Sequence, residues 1–197
     1  MAEYKPSDFF IGIVDFFAIL LPGSLLCFLF LDFESKIFGP VLPALNGDVQ
    51  RWVAFAVASY ISGHFLFAIG GAWDHLYDNT YRKYKTRRDG DLSKSVTPLF
   101  AGHPGYSDKI PLVIWATAFV RAKSDAAASE IDRLEADSKS FRGLSVALVF
   151  FSIKLAFGWH WWALLLVLVL LTLSLWRYAE RRWRRVQLTY TYCLLLK

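Results

Sequence analysis

Apolar residues along this chain gather in long blocks that are separated by charged stretches. The blocks lie near 9–31, 52–73 and 144–176. A water-soluble core would interleave its apolar residues with polar ones, whereas blocks of about 20 apolar residues are typical of helices that cross a bilayer. The pattern predicts an all-α fold: a polytopic membrane helical bundle of about four transmembrane helices with a cytoplasmic helical loop.

The first two blocks each predict one span. Residues 9–31 can cross a hydrocarbon core about 30 Å thick at about 1.5 Å per residue. Pro22 within this run predicts a kink, and the carbonyl that it frees should face protein. Residues 52–73 begin and end with tryptophan, as expected at the two membrane interfaces.

Small residues recur at helical spacing in the second span, at Ser59, Gly63 and Gly70. Such a stripe lets another helix approach closely. We interpret it as helix packing within the chain, and a subunit interface is the alternative.

The third block is too long for one ordinary span and barely long enough for two. Gly158 and the aromatic residues after it predict an interfacial turn between two short spans, 141–158 and 161–178. One long tilted helix is the rival interpretation.

Charge gives the orientation of the spans. The chain has a net charge of +5, and its basic residues concentrate after the second span and after the third block. The positive-inside rule then puts the middle region, both termini and the tail in the cytoplasm. The chain divides into a first helix pair with a short extracytoplasmic loop (1–73), a cytoplasmic helical region (74–143), a second transmembrane hairpin (144–178) and a basic cytoplasmic tail (179–197).

Two helices are predicted in the middle region. The apolar run 110–120 is too short to span, so we expect a docked or interfacial helix. After Ser124, uncharged residues fall on one helical stripe (Ala127, Ile131, Leu134, Ser138 and Phe141) and charged residues on the other faces, which predicts a helix that continues into the third block.

Three ionisable residues fall well inside the spans: Asp15, His64 and Lys154. Such residues are costly in the membrane unless they face protein or water. They could form an intramembrane polar cluster that lines a water path, although solvation near the interface or bonds to backbone carbonyls would also accommodate them.

Asp74, His75 and Asp78 follow the second span and are candidate metal ligands. They support an alternative function, a membrane-embedded metal-dependent hydrolase. No HExxH motif or Gly-rich phosphate loop accompanies them. We prefer to interpret them as solvated caps or ion pairs, and we assign no catalytic residue, metal or cofactor.

Two basic clusters flank the apolar blocks, and they contain Arg82, Lys83, Arg87, Arg88, Arg181, Arg182, Arg184 and Arg185. Interleaved aromatic residues would suit nucleic acid. Juxtamembrane basic clusters more often fix topology and bind anionic lipid, so we expect lipid or protein partners and not nucleic acid.

Three segments, SYISGHFLFAIGGAWDHLYD, EIDRLEADSKSFRGL and RYAERRWRRVQLTYTY, resemble those of a group of small bacterial membrane proteins without an established activity. The resemblance implies four spans in the bacterial inner membrane. In architecture alone, the chain is also similar to membrane effectors of anti-phage defence loci.

The functional prediction is a non-enzymatic, self-associating inner-membrane protein that responds to a signal by forming a pore or perturbing the bilayer. Its expected partners are membrane lipids, further copies of itself and a cytoplasmic protein. A passive anchor for a soluble partner is the other alternative.

Overall fold

The described part of the chain consists of α-helices and their connections. A computed structural model describes residues 16, 18–29, 47–90, 92–101 and 109–197. The helices are α1 (Ala18–Leu29), α2 (Asp48–Ile69), α3 (Gly71–Asn79), α4 (Tyr81–Asp89), α5 (Ser93–Ala101), α6 (Leu112–Lys123), α7 (Asp125–Phe157) and α8 (Trp161–Leu195). These residues contain no strand, in agreement with the predicted all-α class.

Three long helices carry most of the exposed apolar surface. They are α7, α8 and the continuous run Asp48–Asp89 that comprises α2, α3 and α4. In the most apolar 18 residues of each helix, only 33% (α7), 22% (α8) and 22% (Asp48–Asp89) of the residues are buried. Apolar surface of this extent is typical of contact with lipid or another protein. The three helices are long and apolar enough to span a membrane, and α1 is a shorter apolar helix.

The third apolar block forms two helices and not one. α7 ends at Phe157, and the next three residues make a turn in which the amide of Gly158 donates to the carbonyl of Lys154 at 3.1 Å. Trp159 has φ of 57°, a left-handed conformation that reverses the chain direction. The predicted turn is therefore present, and the interpretation as one long helix is wrong.

Both helices of this hairpin continue beyond the apolar block. The side chain of Ser124 caps α7 by accepting from the amide of Ala127 at 3.3 Å, and the helix then runs for 33 residues without a break. α8 runs for 35 residues into the basic tail. The predicted continuation of the helix after Ser124 into the third block is confirmed.

Three layers of core follow one another along the α7–α8 hairpin. We call the apolar parts of α1, α2, α7 and α8 the apolar segments. Leu66, Val146 and Ala147 form the core layer among these segments. Tyr77, Tyr178 and Ala179 form the next layer. The last layer joins α5, α6, residues 125–143 of α7 and residues 178–195 of α8, which we call the polar module. Its core contains Val96, Phe100, Ala116, Val120, Ala127, Ile131, Tyr190 and Cys193.

Small residues bring α1 and α2 into close contact. A Cβ added to Gly63 would overlap the carbonyl oxygen of Ile19, and one added to Gly23 would overlap that of Ser59. Pro22 is fully buried, and its Cγ would lie 3.2 Å from a Cβ added to Gly143. The face of α1 that carries Pro22 therefore lies against protein.

Candidate functional site

A cluster of charged side chains lies where the apolar segments meet the polar module. The carboxylate of Asp74 on α3 accepts from Arg142 on α7 at 2.8 Å, and from Arg182 and the Tyr178 hydroxyl on α8. We call these four residues the Asp74 cluster. Because charges out of water are stable only when paired and hydrogen-bonded, the cluster holds three helices in one arrangement.

Aromatic rings cover the two arginines of the Asp74 cluster. The guanidinium of Arg142 lies 3.9 Å from the ring centre of Phe67, and that of Arg182 lies 4.9 Å from the ring centre of Tyr77. Cation–π attraction adds to the ion pairs, and the rings keep water from one side of each guanidinium. The arginines are therefore fixed in orientation as well as in position.

The ionisation of the cluster is set by burial and by these neighbours. Burial raises the pKa of Tyr77 well above its usual range, although Arg182 and Arg82 oppose this effect. Burial also acts to lower the pKa of Arg182, but Tyr178, Asp74 and Asp78 outweigh it and hold that pKa above its ordinary value. Arg182 is thus a permanent cation beside a neutral phenol.

A cavity of about 730 Å³ opens beside the Asp74 cluster, between α4 and the polar module. Five basic residues line it: Arg82, Lys139, Arg142, Arg182 and Arg185. Two acidic residues, Asp78 and Glu135, also line it. Residues that carry hydroxyl groups also line the cavity: Tyr77, Ser93, Thr97, Ser138, Tyr178 and Tyr190. We call this cavity the cationic cleft.

The acids of the cationic cleft each contact two cations. Glu135 forms an ion pair with Arg185 at 2.9 Å and lies 3.4 Å from Lys139. Asp78 lies 3.4 Å from Arg82 and 4.0 Å from Arg182. These carboxylates are therefore occupied by ion pairs and are poorly placed to act as a general base.

The described members of the predicted intramembrane polar cluster (Asp15, His64 and Lys154) have different neighbours. His64 is exposed and lies edge-on to Tyr60, with ring centres 4.6 Å apart. The ammonium of Lys154 donates to the carbonyl of Leu29 at 2.5 Å, which ties the end of α1 to α7. Asp15 lies outside the described residues. A meeting of the three side chains stays a prediction.

The metal-ligand candidates are divided by their contacts. Asp74 and Asp78 pair with arginines, while His75 is exposed. Within the described ranges, no group of three His, Cys, Asp or Glu side chains is arranged to hold a metal ion. The geometry therefore favours ion pairing at these aspartates.

The structure divides the predicted basic residues into two groups. Arg82, Arg182 and Arg185 line the cationic cleft. The others lie elsewhere on α4 and α8: Lys83 donates to Asn79, Arg88 pairs with Asp89, Arg181 with Asp137 and Arg184 with Glu180, and Arg87 is exposed. The first group therefore converges on the cationic cleft, while Lys83 and Arg87 line a second, smaller pocket with Arg82.

Sequence reasoning missed most of the cleft. Its α7 residues Glu135, Lys139 and Arg142 and its α8 residues Tyr178, Arg182 and Arg185 share the same spacing of four and then three residues. This spacing puts each set on one helix face. These two matching sets of polar residues could have indicated a shared site. The sequence does not show, however, that the two helix faces lie opposite each other.

No family model, curated protein or solved structure matches this chain. The chemistry of the cationic cleft must therefore be inferred from its own residues. Guanidinium, ammonium and hydroxyl groups converge there, and such groups are suited to binding an anion.

Proposed function

We propose that this chain is a non-enzymatic protein of the bacterial inner membrane that responds to a cytoplasmic signal by perturbing the bilayer or opening a pore. In this proposal four helices span the membrane, both termini are cytoplasmic, and the polar module receives the signal. The observation that carries the proposal is the continuity of α7 and α8, which each extend from the polar module into an apolar segment.

Continuous helices can transmit a displacement over their whole length. At the middle of the hairpin, the Ser174 hydroxyl donates to the carbonyl of Phe141 at 3.1 Å, so the two helices are joined where they leave the polar module. The Asp74 cluster joins α3 at the same level. A change of packing in the polar module would therefore move the apolar segments, because packed helices shift as units.

The positions of charged and aromatic residues support the proposed orientation. Arg142, Arg182 and Arg185 lie at the polar-module end of the hairpin, whereas Trp159 and Trp162 are exposed at the opposite turn. Basic residues on the cytoplasmic side and tryptophans at an interface are the usual arrangement. The same basic residues would contact anionic lipid headgroups.

Self-association follows from the pore proposal. The core between the apolar segments is filled, with Leu66, Val146 and Ala147 at most 3% exposed. We therefore place the water path between copies. Ser59 and Gly63 already pack against α1, so the contact between copies would use the exposed apolar faces of α2 and α8.

Membrane potential in expressing cells tests the proposal. We expect the wild-type chain to depolarise cells, as reported by a potential-sensitive dye, and Lys154→Ala to lose this effect because α1 is no longer tied to α7. Asp15→Ala tests the predicted polar cluster in the same assay. Lys94→Ala is the matched control, since Lys94 is an exposed lysine of the polar module.

The proposal would be supported if cells that express Lys94→Ala depolarise and cells that express Lys154→Ala at the same level do not. An intact potential with every variant and the wild type would contradict a pore and favour the passive anchor.

A further inference from the structure

We infer that the cationic cleft binds a small anion that carries phosphate groups. Five cations, Arg82, Lys139, Arg142, Arg182 and Arg185, line the cleft. The carboxylates that pair with them are Asp74, Asp78 and Glu135. Positive charge thus exceeds negative charge in a partly buried space, and a phosphate group would compensate the excess.

Two buried donors on arginines that line the cleft have no acceptor in the described part of the chain. They are the Nε atoms of Arg142 and Arg185. The Arg142 side chain is only 11% exposed, and its Nη1 already donates to Asp74. These Nε atoms have almost no accessible surface, so a ligand in the cleft would have to bind the other nitrogens of the two guanidinium groups.

The size and the remaining lining of the cleft limit the ligand. Its volume of about 730 Å³ lies within the usual range for small-molecule sites, about 300–1,000 Å³. Tyr77, Tyr178 and Tyr190 add flat, partly apolar surfaces beside the cations. The cleft therefore suits a ligand of nucleotide size, or a lipid headgroup with a phosphomonoester.

Binding would add a further link among α4, α7 and α8. Arg82 lies on α4, Lys139 and Arg142 on α7, and Arg185 on α8. An anion held by all three helices would change their relative position, and α7 and α8 continue into the apolar segments. This inference rests on the proposed function for the consequence of binding, but not for the binding itself.

Isothermal titration of the purified full chain tests the inference. The chain is placed in phosphatidylcholine nanodiscs and titrated with pyrophosphate and with ATP. We expect saturable binding that Arg185→Gln weakens by about tenfold or more, since each charge-assisted hydrogen bond to phosphate is strong. Lys139→Gln should weaken binding in the same direction, and it replaces the first variant if Arg185→Gln fails to fold.

Arg184→Gln is the matched control. Arg184 is the neighbour of Arg185 on α8, but it is 61% exposed, pairs with Glu180 and is absent from the lining of the cleft. We expect it to change the dissociation constant by less than about twofold. Equal weakening by Arg184→Gln and Arg185→Gln would show general surface attraction and overturn the inference.

Nanodiscs that contain phosphatidic acid distinguish the source of the phosphate. If this lipid raises the melting temperature of the wild type but not of Arg185→Gln, and blocks pyrophosphate, the ligand is a lipid headgroup. Binding of pyrophosphate or ATP that the lipid leaves unchanged indicates a soluble ligand. The inference would be overturned if neither pyrophosphate nor ATP binds and if the lipid has the same effect on the wild type and on Arg185→Gln. That outcome would leave the depolarisation result unaffected.

Discussion

Asp74 is the residue on which the arrangement of the helices depends most directly. It accepts from Arg142, 68 residues later, and from Arg182, 108 residues later. Both arginines are largely buried, with side chains 11% and 28% exposed. Removal of the carboxylate would leave two guanidinium groups without their main partner, and an unpaired buried charge costs more free energy than the pair contributes.

We therefore predict that Asp74→Asn lowers the free energy of unfolding by about 2 kcal/mol. The measurement is thermal unfolding of the purified protein in detergent, followed by tryptophan fluorescence. The amide keeps the shape of the side chain but not its charge, so the loss reports the ion pairs.

Asp78→Asn is the control for this prediction. Asp78 is 44% exposed, and its two arginines lie 3.4 and 4.0 Å away. Pairs of this kind contribute about 1 kcal/mol or less. A decrease at Asp78 as large as that at Asp74 would contradict the special role of the Asp74 cluster.

At the scale of the elements, the contact between α1 and α2 depends on the absence of a side chain at one position. Gly63 lies so close to Ile19 that an added Cβ would meet both its carbonyl oxygen and its side chain. Backbone atoms cannot move aside as the end of a flexible side chain can. The helices would have to separate.

We predict that Gly63→Ala lowers the free energy of unfolding by about 2 kcal/mol, because overpacking outweighs the better helix propensity of alanine. The same thermal unfolding assay measures the effect. Proteolysis of the purified protein should also be faster in this variant, since the α1–α2 contact is loosened.

Gly71→Ala separates packing from propensity. A Cβ at Gly71 has no neighbour within 4 Å, so this variant should be neutral or more stable by up to about 1 kcal/mol. Destabilisation of both variants by the same amount would indicate that glycine is needed for backbone reasons and not for the close contact.

The fold of the whole molecule places a polar module at one end of its apolar helices. In the proposed topology the turn at Trp159 lies on the extracytoplasmic side of the membrane and the end of α8 lies on the cytoplasmic side. The positions are testable because Trp162 is 88% exposed and Thr191 is exposed near the end of α8.

We predict opposite accessibility of cysteines introduced at these two positions. In a background with Cys27→Ser and Cys193→Ala, Trp162→Cys should react with an impermeant thiol reagent in spheroplasts. Thr191→Cys should react only after the membrane is permeabilised. Labelling of both positions in intact spheroplasts, or protection of both until permeabilisation, would contradict the two crossings of the α7–α8 hairpin.

The helices could largely be predicted from the sequence, whereas the cationic cleft could not. The turn after Gly158 and the start of α7 after Ser124 could be predicted from the sequence, because a turn and a change of hydrophobic periodicity involve only a few consecutive positions. The burial of Cys193 is different. Its thiol donates to the carbonyl of Ala116, and burial raises the pKa of Cys193 to about 11. Nothing near Cys193 in the sequence indicates either property.

The sequence by itself determined the all-helical class and the long apolar helices, because helix formation and hydrophobicity are properties of consecutive residues. The tertiary structure alone decided that Asp74 meets Arg182, that Gly63 meets Ile19, and that the cations of α4, α7 and α8 line one cavity. The physical reason is that these contacts join residues far apart in the chain. Each depends on the rotation and offset of packed helices, which local patterns leave open.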